Sequence, residues 1–132
     1  MKYLLDTNIC IYIIKKKPES IIKIFSKIKL GDVAISAITI AELYFGLAKS
    51  SKPNENTIAL QEFLQPLVTL DFNSDDAVVY GRIRAELEAN GQMIGAMDLL
   101  IAAIALSREL ILVTNNEKEF SRIKDLKLEN WV

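Results

Sequence analysis

Asp98 stands in "IGAMDLLIAAIAL", the only charged residue between Glu88 and Arg108, directly before an uninterrupted apolar run from Leu99 to Leu106. Taken alone, such an acid reads as a helix start. Its carboxylate accepts bonds from free N–H groups and complements the positive end of the helix dipole. Three further acids occupy comparable places. Asp6 follows the short apolar run "MKYLL", Glu42 falls in "TIAELYFG", and Glu119 lies one turn beyond "ILVT". Each also has a local reading. Asp6-Thr7-Asn8 suits an Asx-turn or a cap, Thr39 to Glu42 suits a capping box, and Asn116 to Glu119 suits a looser one. Together they suggest chemistry. Four acids aimed into one crevice repel, and one must take up a proton unless a cation sits among them. Oxygen donors alone suit Mg²⁺ or Mn²⁺. Carboxylate clusters holding such ions commonly serve phosphodiester cleavage, where the cation generates hydroxide and neutralises phosphate charge.

The chain has no histidine. That excludes imidazole acid–base catalysis, Ser-His-Asp and Cys-His nucleophiles, and zinc sites that need imidazole. Any catalysis falls to carboxylates, lysines or a hard metal.

The acids share an edge only if the intervening elements place them there. "MKYLL" reads as a strand. "NICIYIIKKK" reads as a helix, with the lysines at its C-terminus. Pro18 stops it and opens a second helix, with Ile21, Ile22, Phe25 and Ile28 on one face. "GDVAIS" reads as a turn and a strand. "TIAELYFGLAKSSK" reads as a helix, with Ile40, Leu43, Tyr44 and Leu47 at helical spacing. "KPNEN" reads as a loop before the helix "TIALQEFLQPL", and "LVTLDF" as a strand. Residues 75–89 form a helix, "NGQMIGA" a loop, and the Asp98 helix follows. "LILVT" closes the alternation, with a short helix in "NNEKEFSRI" and a last strand in "LKLENW". Short apolar strands alternating with helices predict an α/β fold with a parallel central sheet covered on both faces. Sites in such sheets form beyond the C-terminal ends of the strands, and all four acids fall there.

At 132 residues, with no repeat or linker, residues 1–132 read as a single domain. Half of the residues are hydrophobic (51%), slightly rich for a domain of this size, which leaves apolar surface for a partner. The formal net charge of −1 offers no global basic field for nucleic acid. Lys15, Lys16, Lys17, Lys23, Lys27 and Lys29 crowd the first quarter, so any such contact is local. Cys10 is the only cysteine and sits in "ICIYII", a buried structural thiol with no intrachain partner. No apolar run reaches the length of a membrane span, and Asp6 breaks the N-terminal run too early for a signal peptide. A reducing cytoplasm is the expected location.

"YLLDTN", "AELYFG", "IGAMDLLIAA" and "VTNNEKEF" followed by "LENW" resemble, in order and spacing, the PIN-domain ribonucleases, specifically the VapC toxins of bacterial toxin–antitoxin pairs. The resemblance runs over essentially the whole chain. It implies a PIN-like fold and an Mg²⁺- or Mn²⁺-dependent endoribonuclease inhibited by a VapB-type antitoxin. By position, Asp6, Glu42 and Asp98 match the family's metal-binding acids, and Glu119 matches its fourth acidic region. A common family pattern has Asp directly after the Thr-Xaa pair. This chain has Asn116 there, so Glu119 must supply the charge. Thr114, Asn115 and Asn116 match residues near the cation's water shell, and Asn8 matches a polar residue that orients Asp6. The implied reaction is in-line attack by a metal-activated water on an RNA phosphodiester, leaving 5′-phosphate and 3′-hydroxyl ends. Which RNA is cut is not given by the sequence; the resemblance points to initiator or other tRNA, with ribosomal and messenger RNA open. A homodimer is implied, with antitoxin contact near the "NICIYII" helix. Operator DNA is met only through the antitoxin.

Two rival readings stand beside this one. A haloacid-dehalogenase-like phosphotransferase also starts with a strand and an Asp, but wants a second acid two residues on, where this chain has Asn8. A non-catalytic metal- or protein-binding module would not need acids at all four places. For RNA contact, Lys15, Lys16 and Lys17 are candidates against the plain reading of a solvated helix end. Tyr44 and Phe45 are candidates for base stacking, although Tyr44 falls in the apolar stripe, which favours core or interface.

Overall fold

The computed structural model describes residues 1–132. Five short parallel strands form one sheet in the order β3-β2-β1-β4-β5. They are β1 (Tyr3–Leu5), β2 (Val33–Ser36), β3 (Val68–Leu70), β4 (Ile111–Val113) and β5 (Leu128–Glu129). The helices are α1 (Thr7–Lys15), α2 (Glu19–Phe25), α3 (Ala37–Ala48), α4 (Pro53–Leu64), α5 (Ser74–Ala89), α6 (Ala96–Ser107) and α7 (Glu117–Phe120). The alternation read from the sequence therefore gives the expected α/β architecture.

Strand alternation divides the core. Leu4, Ala34 and Leu112 point to one face and pack with Ile83, Leu87 and the apolar length of α6. Tyr3, Leu5, Val33 and Ile35 point to the other and pack with Ile9, Cys10 and Ile13 of α1, Leu43 of α3 and Leu60 of α4. With both faces covered, every residue of β1 and β2 is buried. Trp131 closes the second face, its ring edge-on to Tyr3 at 5.2 Å between centroids.

Strand register decides which side chains leave the sheet together. β1 pairs with β4 so that Leu5 lies opposite Val113, and with β2 so that Leu5 lies opposite Ile35. The next residue of each strand emerges from the same edge: Asp6, Thr114 and Ser36. The Asp6 N–H still bonds the Val113 carbonyl at 3.0 Å, so the carboxylate starts where the ladder stops. α6 runs back along the sheet before β4 begins, so its N-terminus, with Asp98, reaches that edge too.

Several boundaries differ from the sequence reading, each for a local reason. α3 begins at Ala37 because Ser36 caps it, its Oγ accepting the Thr39 N–H at 3.0 Å. The predicted capping box between Thr39 and Glu42 does not form. Part of "KPNEN", read as a loop, is the start of α4, with Pro53 at the first helical position where its missing N–H costs nothing. Ile28, placed on the face of the second helix, lies beyond the end of α2.

Candidate metal centre

Asp6 is the most constrained of the acids. It is buried (5% exposed) and caps α1. Its Oδ1 accepts the Ile9 N–H at 3.0 Å, and its Oδ2 accepts the Thr114 hydroxyl at 2.5 Å. Burial raises its pKa above the ordinary carboxylate value, the two hydrogen bonds oppose that rise, and the Glu42 charge adds to it. Thr114 is itself fully buried, and its Oγ1 also accepts the Asn116 N–H at 2.9 Å. The in-register β1–β4 pair thus delivers acid and hydroxyl side by side.

Glu42, in the second turn of α3, is only partly exposed. Ser36 already caps that helix, which leaves the Glu42 carboxylate free for longer-range contacts. Its Oε1 accepts the Thr7 hydroxyl at 2.7 Å across 35 residues of sequence.

Asp98 occupies the third position of α6, after Gly95 at the N-cap, and the helix start has no side-chain cap. The capping bond of the local reading is therefore absent, while its other half holds: Asp98 lies in the first turn, where its charge complements the helix dipole. Its carboxyl is pushed up to about 6, first by burial and then by the charges of Asp6, Glu42 and Glu119. Glu119, in α7, accepts the Asn116 side-chain amide at 3.0 Å, so the loose capping box read there is not formed either.

The other sequence candidates separate. Asn8 is exposed and makes no hydrogen bond to Asp6; Thr114 and the Ile9 N–H hold Asp6 instead. Asn115 is exposed and donates to the Tyr12 hydroxyl at 3.0 Å. Lys15, Lys16 and Lys17 lie at the other end of α1, about 14 Å from Asp6 along a helix of this length. Tyr44 and Phe45, at 41% and 63%, are exposed, so Tyr44 is not core. A residue on the third turn of a helix outside the sheet can satisfy helical spacing and still face solvent. Thr7 and Tyr12 carry no signal of their own in the sequence. Only the parallel register could have pointed to Thr7, by setting the starts of α1 and α3 side by side.

No three acids stand at the spacing of a preformed cation cage. What they share is a field, centred on Asp98. The donor set is oxygen only, four carboxylates with hydroxyl and amide neighbours, and a hard divalent cation fits that chemistry better than zinc. It would also relieve the repulsion that raises Asp98.

Fold and site together define a parallel α/β domain with an acidic C-terminal edge to its sheet. A family model for the PIN domain matches residues 3–126. The chain is similar to Ribonuclease VapC2 of Haemophilus influenzae, 46% identical over 132 residues that cover 100% of this chain and 99% of that protein. It is also similar to the tRNA(fMet)-specific endonuclease VapC of Shigella flexneri, 42% identical over 99% of this chain and 98% of that protein. The solved structure of DNA-bound VapBC from Salmonella typhimurium superposes with a TM-score of 0.94 at 42% identity, covering 100% of this chain and 99% of that one. This chain belongs to the PIN-domain family, among its VapC-type ribonucleases.

Proposed function

We propose that the protein is an endoribonuclease that depends on Mg²⁺ or Mn²⁺, cuts tRNA, and is held inactive by a cognate VapB-type antitoxin. The observation that supports the metal dependence is the meeting of Asp6 and Glu42 at one sheet edge, held there by the hydroxyls of Thr114 and Thr7 across 108 and 35 residues of sequence, where burial and the charges of Asp6, Glu42 and Glu119 raise Asp98. Asp6, Glu42, Asp98 and Glu119 would hold the cation. When bound, such an ion supplies a nucleophile at neutral pH and neutralises charge on the scissile phosphate.

The chain's own residues do the rest. Thr114 and the Ile9 N–H fix the Asp6 carboxylate, so its direction is set before any substrate arrives. Asn116 turns Glu119, through one amide hydrogen bond. The tRNA substrate is proposed from the likeness to the Shigella flexneri endonuclease. The antitoxin is proposed from the VapBC complexes among the solved relatives, including VapBC2 of Rickettsia felis bound to promoter DNA. A groove of 310 Å³ between α1, α3 and α4, with Ile11, Ile14, Leu47 and Leu60 in its walls and Glu42 and Lys15 also lining it, offers apolar surface for that partner. The homodimer, and contact with operator DNA only through the antitoxin, are proposed from the motif resemblance to VapC toxins; the DNA-bound VapBC relatives fit the second.

The test is cleavage of initiator and elongator tRNAs, and of ribosomal and messenger RNA, with Mg²⁺, with Mn²⁺ and with excess chelator. Metal-dependent cuts confined to initiator tRNA are expected. Cleavage that continues undiminished in chelator would overturn the metal-dependent reading. Hydrolysis of small phosphate esters without RNA cleavage would favour the phosphotransferase.

A further inference from the structure

Thr7 opens α1 directly after Asp6, and its hydroxyl faces away from its own helix. Its Oγ1 lies 2.7 Å from Glu42 Oε1 and 3.2 Å from Thr39 Oγ1. Thr39 is fully buried and stands three residues before Glu42, on the same side of α3. A carboxylate only accepts, and a hydroxyl carries one proton. Thr7 spends its proton on Glu42, so the proton in the Thr7–Thr39 contact comes from Thr39. The three groups form a directed chain, Thr39 to Thr7 to Glu42, that begins in the core and ends at the acidic edge.

Geometry gives this chain a consequence. Glu side chains have three rotatable bonds and lose considerable entropy when fixed. Glu42 is held at one oxygen by a residue adjacent to Asp6, on the turn that Asp6 caps. We propose that Thr7 is a positioning residue for Glu42: it holds Oε1, leaves Oε2 free for the cation that Glu42 would help to hold, and ties the place of Glu42 to that of Asp6. This rests on the reading of Glu42 as a metal-holding acid. Groups that orient metal ligands typically contribute about 10- to 100-fold to metal affinity or activity.

The test compares wild type with Thr7→Val, which keeps the shape and removes the hydroxyl, and Thr7→Ser, which keeps the hydroxyl. Asp6→Asn serves as the control for the metal centre. Mn²⁺ affinity is measured by calorimetry, alongside melting with and without Mn²⁺, and kcat and KM for tRNA cleavage. Thr7→Val should bind Mn²⁺ about 10-fold or more weakly and lose kcat to a similar degree, with KM for RNA little changed. Its metal-free melting should fall modestly, because buried Thr39 loses its acceptor, and Thr7→Ser should recover both the melting and most of the affinity. Unchanged Mn²⁺ affinity in Thr7→Val, while Asp6→Asn loses it, overturns the role of Thr7 and leaves the metal centre standing. Equal losses in Thr7→Val and Thr7→Ser overturn it too, because keeping the hydroxyl then preserves nothing. Full Mn²⁺ affinity in Asp6→Asn overturns the metal centre itself. Thr7→Ala, judged by the same readouts, replaces Thr7→Val if that variant does not fold.

Discussion

At Asp98 the crowding of acids has a sign that can be measured. Its folded-state pKa is about 6, against an ordinary value of 3.8. A raised carboxylate pKa means that the folded protein binds the proton more tightly than the unfolded chain does. The associated stability is fully present below the unfolded value and is lost as pH rises through 6. In metal-free protein at pH 8, Asp98→Asn should therefore raise stability, by about 1–2 kcal/mol after discounting for solvent at a half-buried group. At pH 4 the gain should vanish. Denaturant unfolding in chelator at the two pH values measures this, and a destabilisation of equal size at both would return Asp98 to a simple helix-start role. The Mn²⁺-induced rise in melting temperature should shrink in the same variant. The four acids were legible as single letters because each follows a strand or opens a helix. Their hydrogen-bonding partners were not. Asn8 has the better side chain for orienting Asp6, yet the helical turn that makes Asp6 a cap points Asn8 outward, and the contact falls to Thr114, which is 108 residues away.

Among the elements, caps decided where sequence and structure part. Thr39-Ile-Ala-Glu42 has the letters of a capping box, but Ser36 is three residues closer to the strand end and takes the cap first. That choice is what releases Glu42 toward Thr7. Pro53 could have marked the start of α4, since proline favours a first helical position; the polar letters around it argued for a loop instead. α5 shows a cap with a second task. Asn73 and Asp76 form a reciprocal capping box, each backbone N–H bonding the other's side chain at 3.0 Å. Asp76 Oδ2 also receives Arg108 Nη2 at 2.9 Å, and that nitrogen bonds the Asp71 carbonyl at 2.5 Å. One buried carboxylate thus joins the start of α5 to the end of α6. Burial opposes its charge, but the Arg108 and Asn73 hydrogen bonds prevail and hold its pKa below the ordinary value. Its stabilisation is present at neutral pH and lost as pH falls through that lowered value. Asp76→Ala should cost about 2–4 kcal/mol, combining a lost cap with an Arg108 left without its partner. Thermal unfolding at pH 7 measures the loss, and a change under about 1 kcal/mol would show that Arg108 finds equivalent partners. RNA cleavage by the folded variant should be unaffected, because the pair lies outside the acidic edge.

For the whole molecule, the slight excess of hydrophobic residues finds an outlet in the groove between α1, α3 and α4. The "NICIYII" helix is apolar on nearly every side, and the structure divides that surface. Ile9, Cys10 and Ile13 enter the core, while Ile11 and Ile14 line the groove. The sequence could show too much apolar surface on α1; it could not show the groove, whose other walls come from α3 and α4, far along the chain. Gly46 sits in the middle of it, on α3, and a Cβ built there meets nothing within 4 Å. Gly46→Ala should therefore stabilise the isolated toxin by about 0.5–1 kcal/mol, the ordinary gain for replacing glycine inside a helix. Gly46→Leu should fold equally well but fill part of the groove with its own side chain. If the antitoxin lays an apolar segment there, Gly46→Leu should weaken toxin–antitoxin binding by about 10-fold or more, as expected when one well-packed contact is displaced from an interface. Gly46→Ala should bind nearly as wild type, which separates blockage from the helix effect. Calorimetric titration of purified antitoxin into each variant checks this, with metal-free melting as the folding control. Wild-type affinity in a folded Gly46→Leu would place the antitoxin on another face, and the groove would then be surplus apolar surface without a role in inhibition.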